Sequence, residues 1–296
     1  MRYFKRVLIY VMAAVMVISL AACSLNIFQK PGQQDSKDNI ITPPPDQTDT
    51  GNSGNEDTTP APVPQYSNQK YSWGFVRGKD HLPPEIYKKY ADLVDKYNGI
   101  YLGDTTKKVI YLTFDEGYEN GYTPAILDTL KANDVKAAFF ITSPYLKKSF
   151  DLVKRMMDEG HIVANHTVNH PSMPEVTDDQ KLEDELLGLD RLFYEKTGKT
   201  MKYIRPPKGE FSERTLAIAK QLGYRSVFWS FAYADWDVTK QPGKDNAKQM
   251  VLDNLHNGAV LLLHAVSQSN TEALDEILKE AKAQGYTFDT LDNFKK

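Results

Sequence analysis

One cysteine in 296 residues, Cys23, leaves no partner for an intramolecular disulfide and no other thiol for nucleophilic catalysis. Excess positive charge is missing too: 36 Lys and Arg stand against 39 Asp and Glu, a formal net charge of −3. A chain that grips phosphate backbones needs clustered basic residues, so no nucleic-acid partner is expected. There is no Gly-x-Ser-x-Gly elbow, no His-Glu-x-x-His pair and no P-loop, which removes the serine hydrolase, zincin and kinase readings. Long apolar runs are also scarce. The run from Val7 to Leu20 is too short for a spanning helix, follows Arg2, Lys5 and Arg6, and ends in Leu20-Ala21-Ala22-Cys23.

That opening reads as a secretory signal over residues 1–22. Its ending resembles a bacterial lipobox, which implies a lipid on Cys23 as the mature N-terminus and a membrane partner through that lipid. Ala-x-Ala-type cleavage and an uncleaved anchor are the alternatives, and all three put the domain outside the cytoplasm. Loss of the signal removes three positive and no negative charges, so −3 becomes −6. Residues 23–69 are rich in Pro, Asp, Asn, Thr, Gln and Ser, cannot bury enough apolar area to offset ordering, and are expected to form a flexible tether. Residues 70–296 form the expected domain, with 70–105 an N-terminal extension and 106–296 the catalytic core.

Within the domain a βα rhythm is expected. A helix over Pro84–Tyr97 lies outside the main fold. Strands are expected at Val109–Phe114, Lys136–Ile141, His161–Ala164, Met201–Ile204, Ser226–Phe231, Ala259–Leu263 and Tyr286–Phe288. Helices alternate with them: Thr123 to Ala132, Ser149 to Glu159, Thr177 to Lys196, Ser212 to Leu222, Asn246 to Leu255 and Thr271 to Ala283. The cues are Pro124 in a first turn, Thr177-Asp178-Asp179-Gln180 as a capping box, and Gly160, Gly198 and Gly223 as stops. Repeated units of this length imply an α/β fold with parallel strands and helices outside. A doubly wound sheet fits the alternation as well. A barrel is favoured because Asp115, His166, Arg205, Asp235 and His264 each follow a different strand, at its C-terminal end.

Five segments carry these groups: Thr113-Phe114-Asp115-Glu116-Gly117, His166-Thr167-Val168-Asn169-His170, Arg205-Pro206-Pro207-Lys208-Gly209, Asp235-Trp236 and Leu262-Leu263-His264. They supply acid, base and metal-ligand types, and read as a hydrolase site. His166 and His170 can point at one metal ion from a helical turn or tight loop, although a structural pair has the same spacing. Asp115 is a candidate general base kept ionised by Arg205, or else a strand-end cap. His264 is a candidate general acid with Asp235 raising its pKa, although a lone histidine at a strand end is more often structural. Leu262 and Trp236 would wall a pocket for a methyl group and a sugar face, or serve as plain core. His81, His161 and His256 read as structural or exposed.

In this order the five segments resemble the motifs of the NodB-type polysaccharide deacetylases, carbohydrate esterase family 4. The run from Tyr111 to Thr123, the Arg-Pro-Pro-Lys-Gly run, Trp73-Gly-Phe and Tyr101-Leu-Gly resemble most the δ-lactam-biosynthetic de-N-acetylase branch. The resemblance covers Tyr71 to Phe294. It implies a distorted (β/α) barrel with fewer than eight regular strands, and metal-assisted removal of acetyl from N-acetylmuramic acid in peptidoglycan of the spore cortex. It makes Glu116, His166 and His170 the ligands of a divalent metal, zinc first, with cobalt, nickel or manganese as substitutes. Glu116 departs from the family's Asp, which changes the ligand geometry. Tyr118, Pro207, Lys208, Trp236 and Leu262 become substrate contacts, with the Lys208 N–H facing the oxyanion. Glycan strands are the implied partner and an N-acetylmuramoyl-alanine amidase the pathway partner. The alternatives are a deacetylase of N-acetylglucosamine, chitooligosaccharide or acetyl xylan, and an inactive wall-binding lipoprotein.

Overall fold

The computed structural model describes residues 66–296. The signal, Cys23 and the tether up to residue 65 lie outside the described residues. Short strands β1 (Tyr71–Ser72), β2 (Phe75–Val76) and β3 (Glu85–Ile86) precede helix α1 (Lys88–Lys96). The alternation then runs β4 (Val109–Glu116), α2 (Thr123–Ala132), β5 (Ala138–Ile141), α3 (Ser143–Lys148), α4 (Phe150–Asp158), β6 (Ile162–Asn165) and α5 (Asp179–Thr197). It continues with β7 (Tyr203–Ile204), β8 (Glu210–Phe211), α6 (Glu213–Gln221), β9 (Arg225–Ser226), α7 (Lys244–Leu252), β10 (Ala259–His264), α8 (Gln268–Ala283) and β11 (Thr287–Phe288).

The main sheet has the order β10-β4-β5-β6-β7-β9, all neighbours parallel, with β11 paired to the start of β4. Beyond β9 Val227 bridges Ile100 and, after a bend at Ser230, Phe231 bridges Leu261 of β10, so the last strand's continuation meets the first strand. The sheet therefore curls into a distorted barrel of six strands, with β11 added beside β4 as the seventh strand of the sheet.

Side chains alternate across each strand, and this assigns β4 two faces. Ile110, Leu112 and Phe114 join the core under the helices, with Ile126, Leu130, Leu182 and Ile277. Tyr111 points inward with Ala138, Phe140, Ala164, Tyr203 and Val260. Each wholly buried Leu, Ile or Phe of such a core stabilises by roughly 1.5–3 kcal/mol. A third cluster, Trp73, Val94, Tyr97, Tyr101, Phe211 and Phe228, fastens α1 and the N-terminal strands to the barrel.

Four expectations need correction. The first helix starts at Lys88 and not Pro84, because Ile86 pairs with Phe75 instead. Helix α3 was not expected, although Thr142 caps it through the Tyr145 N–H at 3.4 Å and Pro144 sits in its first turn. Asp178, not Thr177, caps α5 by accepting from the Lys181 N–H at 2.9 Å. The domain also begins before residue 70, since Ser67 and Asn68 are already bonded to Arg214, Ser212 and Pro174.

Candidate active site

Strand parity builds the site. Asp115 is in phase with Tyr111 and Thr113, so its carboxylate enters the barrel, and it lies in register with His264 on the adjacent β10. Parallel neighbours are spaced about 4.8 Å apart, which sets the two side chains side by side. His166 and Arg205 directly follow β6 and β7. Asp235 comes from an irregular stretch four residues past Phe231, not from the end of a regular strand.

The wholly buried Arg205 crosses the barrel interior. Its Nη1 donates to Asp115 Oδ1 at 2.6 Å, its Nη2 to Thr113 Oγ1 at 2.8 Å and its Nε to the Val227 carbonyl at 3.2 Å. The guanidinium lies 4.1 Å from the Phe140 ring centroid. Burial alone would raise the Asp115 pKa; Arg205, then His166 and His264, reverse this and hold it below the usual carboxylate value.

His264 Nδ1 donates to Asp235 Oδ1 at 2.7 Å. The other oxygen, Oδ2, accepts the His264 backbone N–H at 2.7 Å and the Asn270 amide at 2.5 Å. Burial alone would lower the His264 pKa, but the Asp235 hydrogen bond and charge overcome it, with Asp115 adding to them, and the result lies above the usual histidine value. Base and acid are thus shifted apart in opposite directions, the pattern of paired acid–base groups.

His166 and His170 sit on a tight loop rather than a helical turn. Thr167 and His170 adopt left-handed backbone conformations, φ 68° and 58°. For a β-branched threonine this is costly, and local bonds hold it: the Thr167 N–H donates to Asn165 Oδ1 at 2.8 Å and the His170 N–H to Thr167 Oγ1 at 2.9 Å. The two rings lie 4.7 Å apart at 72°. His166 Nδ1 is 2.9 Å from the Arg205 carbonyl, which can only accept, so Nδ1 carries the proton. Burial lowers the His166 pKa to about 4 and leaves Nε2 a lone pair, 3.4 Å from Asp115 Oδ2. Burial also lowers His170. An unprotonated imidazole nitrogen is a metal-donor atom, so the two imidazoles fit a divalent metal ion.

Glu116 does not join them. It shares the outer face of β4 with Phe114, is wholly buried, and its contact is Thr123 Oγ1 at 3.5 Å, with Oε2 unpartnered. Burial, then Glu119 and Asp115, push its pKa well above the usual value. The expectation of Glu116 as third ligand is thereby corrected: parity turns it away, and among the described residues no three His, Cys, Asp or Glu are grouped to hold a metal.

A cavity of about 650 Å³ opens over these groups, lined by Asp115, His166, His170 and His264 and walled by Tyr118, Lys208, Trp236 and Leu262. Trp236 and Tyr118 are 58% and 52% exposed at its mouth, so their ring faces are available to a ligand. Pro207 is buried and does not line the cavity, which corrects its assignment as a contact. Trp229, Ala232, Tyr233 and Val266 line it without having been expected. Asn270 and Gln241 were missed as well; Gln241 Nε2 donates to the Asp235 carbonyl at 2.9 Å. His161 and His256 are buried, the first accepting the Ala137 N–H through Nδ1 at 3.1 Å, the second bonded to Ser230 Oγ at 2.8 Å.

The peptidoglycan-N-acetylmuramic acid deacetylase PdaA of Bacillus subtilis is 47% identical over 227 residues, 76% of this chain and 86% of that protein. The chain belongs to the polysaccharide deacetylase family. The family's sequence pattern matches residues 102–227. The solved structure of PdaA, described as a family 4 carbohydrate esterase, aligns at a TM-score of 0.75 with 45% identity, covering 77% of this chain and 97% of that one. A peptidoglycan-N-acetylglucosamine deacetylase of Bacillus cereus is 35% identical over 67% of this chain and 72% of its own length. Deacetylases of this family are in general metal-dependent, and the chain is a hydrolase of the polysaccharide deacetylase family.

Proposed function

We propose that the chain hydrolyses the acetamide of N-acetylmuramic acid in peptidoglycan, on residues that have lost their stem peptide, on the way to the muramic δ-lactam of spore cortex. The observation that carries this reading is the pair of oppositely tuned groups on one cavity: Asp115 held ionised by Arg205, and His264 pushed toward its protonated form by Asp235. Asp115 takes a proton from water as the oxygen adds to the acetyl carbonyl. His264 gives a proton to the amine as the C–N bond breaks, leaving acetate and a free sugar amine. The Lys208 N–H is the oxyanion donor in this scheme. His166 and His170 would hold the divalent ion, zinc before cobalt, nickel or manganese, which when bound supplies Lewis-acid polarisation of the carbonyl.

Substrate choice rests on charge and ring faces. Arg205 is buried and committed to Asp115, so Lys208 is the cation at the cavity wall left to meet a free lactyl carboxylate. A stem peptide would turn that carboxylate into a neutral amide, which makes an N-acetylmuramoyl-alanine amidase the enzyme acting before this one. Trp236 and Tyr118 offer faces for sugar rings. A second reading, N-acetylglucosamine as the substrate sugar, is favoured by the relative of that activity. Lipid on Cys23 would hold the protein on the outer face of the cytoplasmic membrane, within reach of glycan strands.

The test is mass spectrometry of peptide-free and peptide-bearing muramyl glycans, and of chitooligosaccharide, after incubation with the enzyme. Faster loss of acetyl from the peptide-free muramyl glycan is expected. Preference for chitooligosaccharide promotes the second reading, and equal rates on both muramyl forms remove the role given to Lys208.

A further inference from the structure

The segment that leads into the domain is bonded to two of the loops that carry site residues. Tyr71 and Ser72 pair antiparallel with Phe211 and Glu210, directly after the Lys208 turn. The Trp73 N–H donates to the Gly209 carbonyl at 2.8 Å, and its indole Nε1 donates to the Trp229 carbonyl at 2.8 Å. The Trp73 ring is buried and stacks on Phe228 at 4.5 Å. Gly209, at φ 66°, has no room for a Cβ: one would lie 2.8 Å from the Trp229 ring and 3.2 Å from Trp73 Cβ. Trp229 in turn lines the cavity and lies 5.7 Å from the Arg205 guanidinium. Trp73 is therefore wedged behind two adjoining parts of the cavity wall.

A few residues earlier, Asn68 holds the other loop. Its Nδ2 donates to the Pro174 carbonyl at 2.9 Å, in the turn that follows His170, while its Oδ1 accepts from Ser212 Oγ at 2.8 Å. Lys70 pairs with Glu175 of the same turn at 2.7 Å and reaches Glu210 at 3.6 Å. The Arg214 N–H donates to the Ser67 carbonyl at 3.0 Å. No residue of this strap lines the cavity.

We propose that Trp73 and Asn68 are positioning residues of the site: Trp73 sets the Lys208–Gly209 turn against Trp229, and Asn68 sets the turn beyond His170. The catalytic half of this inference rests on the deacetylase reading above. Two neighbouring loops that must each place a group to within a fraction of an ångström are held by one strand, and displacement by about 1 Å is enough to cost on the order of 100-fold in rate.

The test uses Trp73→Phe, which keeps an aromatic ring in the stack and deletes the indole donor, in the full chain labelled with ¹⁵N at its tryptophans. The expected result is a shifted or broadened Trp229 indole signal, an unmoved Trp236 signal, an unchanged circular dichroism spectrum and a kcat lowered about tenfold or more. Wild-type kcat, or an unmoved Trp229 signal, overturns the proposal for Trp73. Should that variant fail to fold, Asn68→Ala decides: moved His170 ring signals with lowered kcat are expected, whereas unmoved signals or an undiminished rate overturn it. If the unmodified enzyme releases no acetate from any glycan, the deacetylase reading fails, and the loop signals still report whether the strap sets the loops.

Discussion

Asp115 and Glu116 are consecutive on β4 and end on opposite faces of the sheet, the first against Arg205 and His166 inside the barrel, the second against Thr123 beneath the helices. One is ionised by its partners, and the other is a buried acid with an oxygen that nothing satisfies. The two neighbouring carboxyls thus have different chemistry and different consequences when altered.

Glu116→Gln should leave zinc affinity unchanged, because Glu116 does not reach the imidazoles, whereas His166→Ala should abolish it. Isothermal titration of zinc into the two variants checks both. Glu116 titrates in the unfolded chain near 4.3 but far higher when folded, so its effect on stability is lost progressively as pH rises above about 4 and stays lost at neutral pH. Glu116→Gln should therefore raise the melting temperature at pH 7 more than at pH 4, as scanning calorimetry would show. A zinc affinity that falls with Glu116→Gln restores Glu116 as a ligand.

Asp115→Asn should lower kcat by on the order of 10²–10⁴-fold while the fold persists, since a general base contributes about that much. Arg205→Met should cost about 3–5 kcal/mol in stability as well as activity, because it strands a buried carboxylate. Urea unfolding distinguishes them, and an unfolding midpoint for Arg205→Met equal to the parent's would contradict the ion-pair argument.

The pH–rate profile should be a bell. Its acid limb reports Asp115 and lies below the usual carboxylate range; its alkaline limb reports His264 and lies above 6.5. Asp235→Asn removes the charge that raises His264, so the alkaline limb should move to lower pH while the acid limb stays. His264 also stabilises the fold through its raised pKa, a contribution complete below the unfolded value and lost as pH climbs through the folded one. An alkaline limb unmoved by Asp235→Asn would take His264 out of the acid role.

Labelling cells with a fatty-acid analogue should tag the protein, and Cys23→Ser should remove the tag. A tag that survives the substitution places the anchor elsewhere.

Much of this architecture follows from local rules that a sequence displays. Pro124, Ser212 and Gly198 mark helix ends through proline geometry, capping and a left-handed stop, and the structure has them in those roles, whereas Tyr122 and not Thr123 stands at the N-cap of α2, without a side-chain cap bond. Asp115, His166, Arg205 and His264 converge because each ends or follows a parallel strand. Alternation along β4 separates Glu116 from Asp115, a parity hidden in a motif taken as a block. Asn270 and Asp235 are 35 residues apart and meet only through the packing of α8, so no spacing signals the contact. Asn68 and Lys70 have the same polar character as the stretch before them, and composition cannot separate a bonded strap from a tether. Trp229 and Tyr233 lie in an irregular stretch where no periodicity says which side chains face a cavity.

Both oxygens of Asp235 are engaged, one by the His264 ring and the other by a backbone N–H and Asn270. Nδ1 of His264 is therefore permanently occupied, and only the Nε2 edge can exchange protons. In the proposed reaction the imidazole is reloaded on that edge, from Asp115, which holds the proton taken from water on the same cavity, or from solvent at the cavity mouth. Under that reading a glycan that seals the opening does not isolate the acid, because base and acid share one cavity and the proton taken from water stays within it.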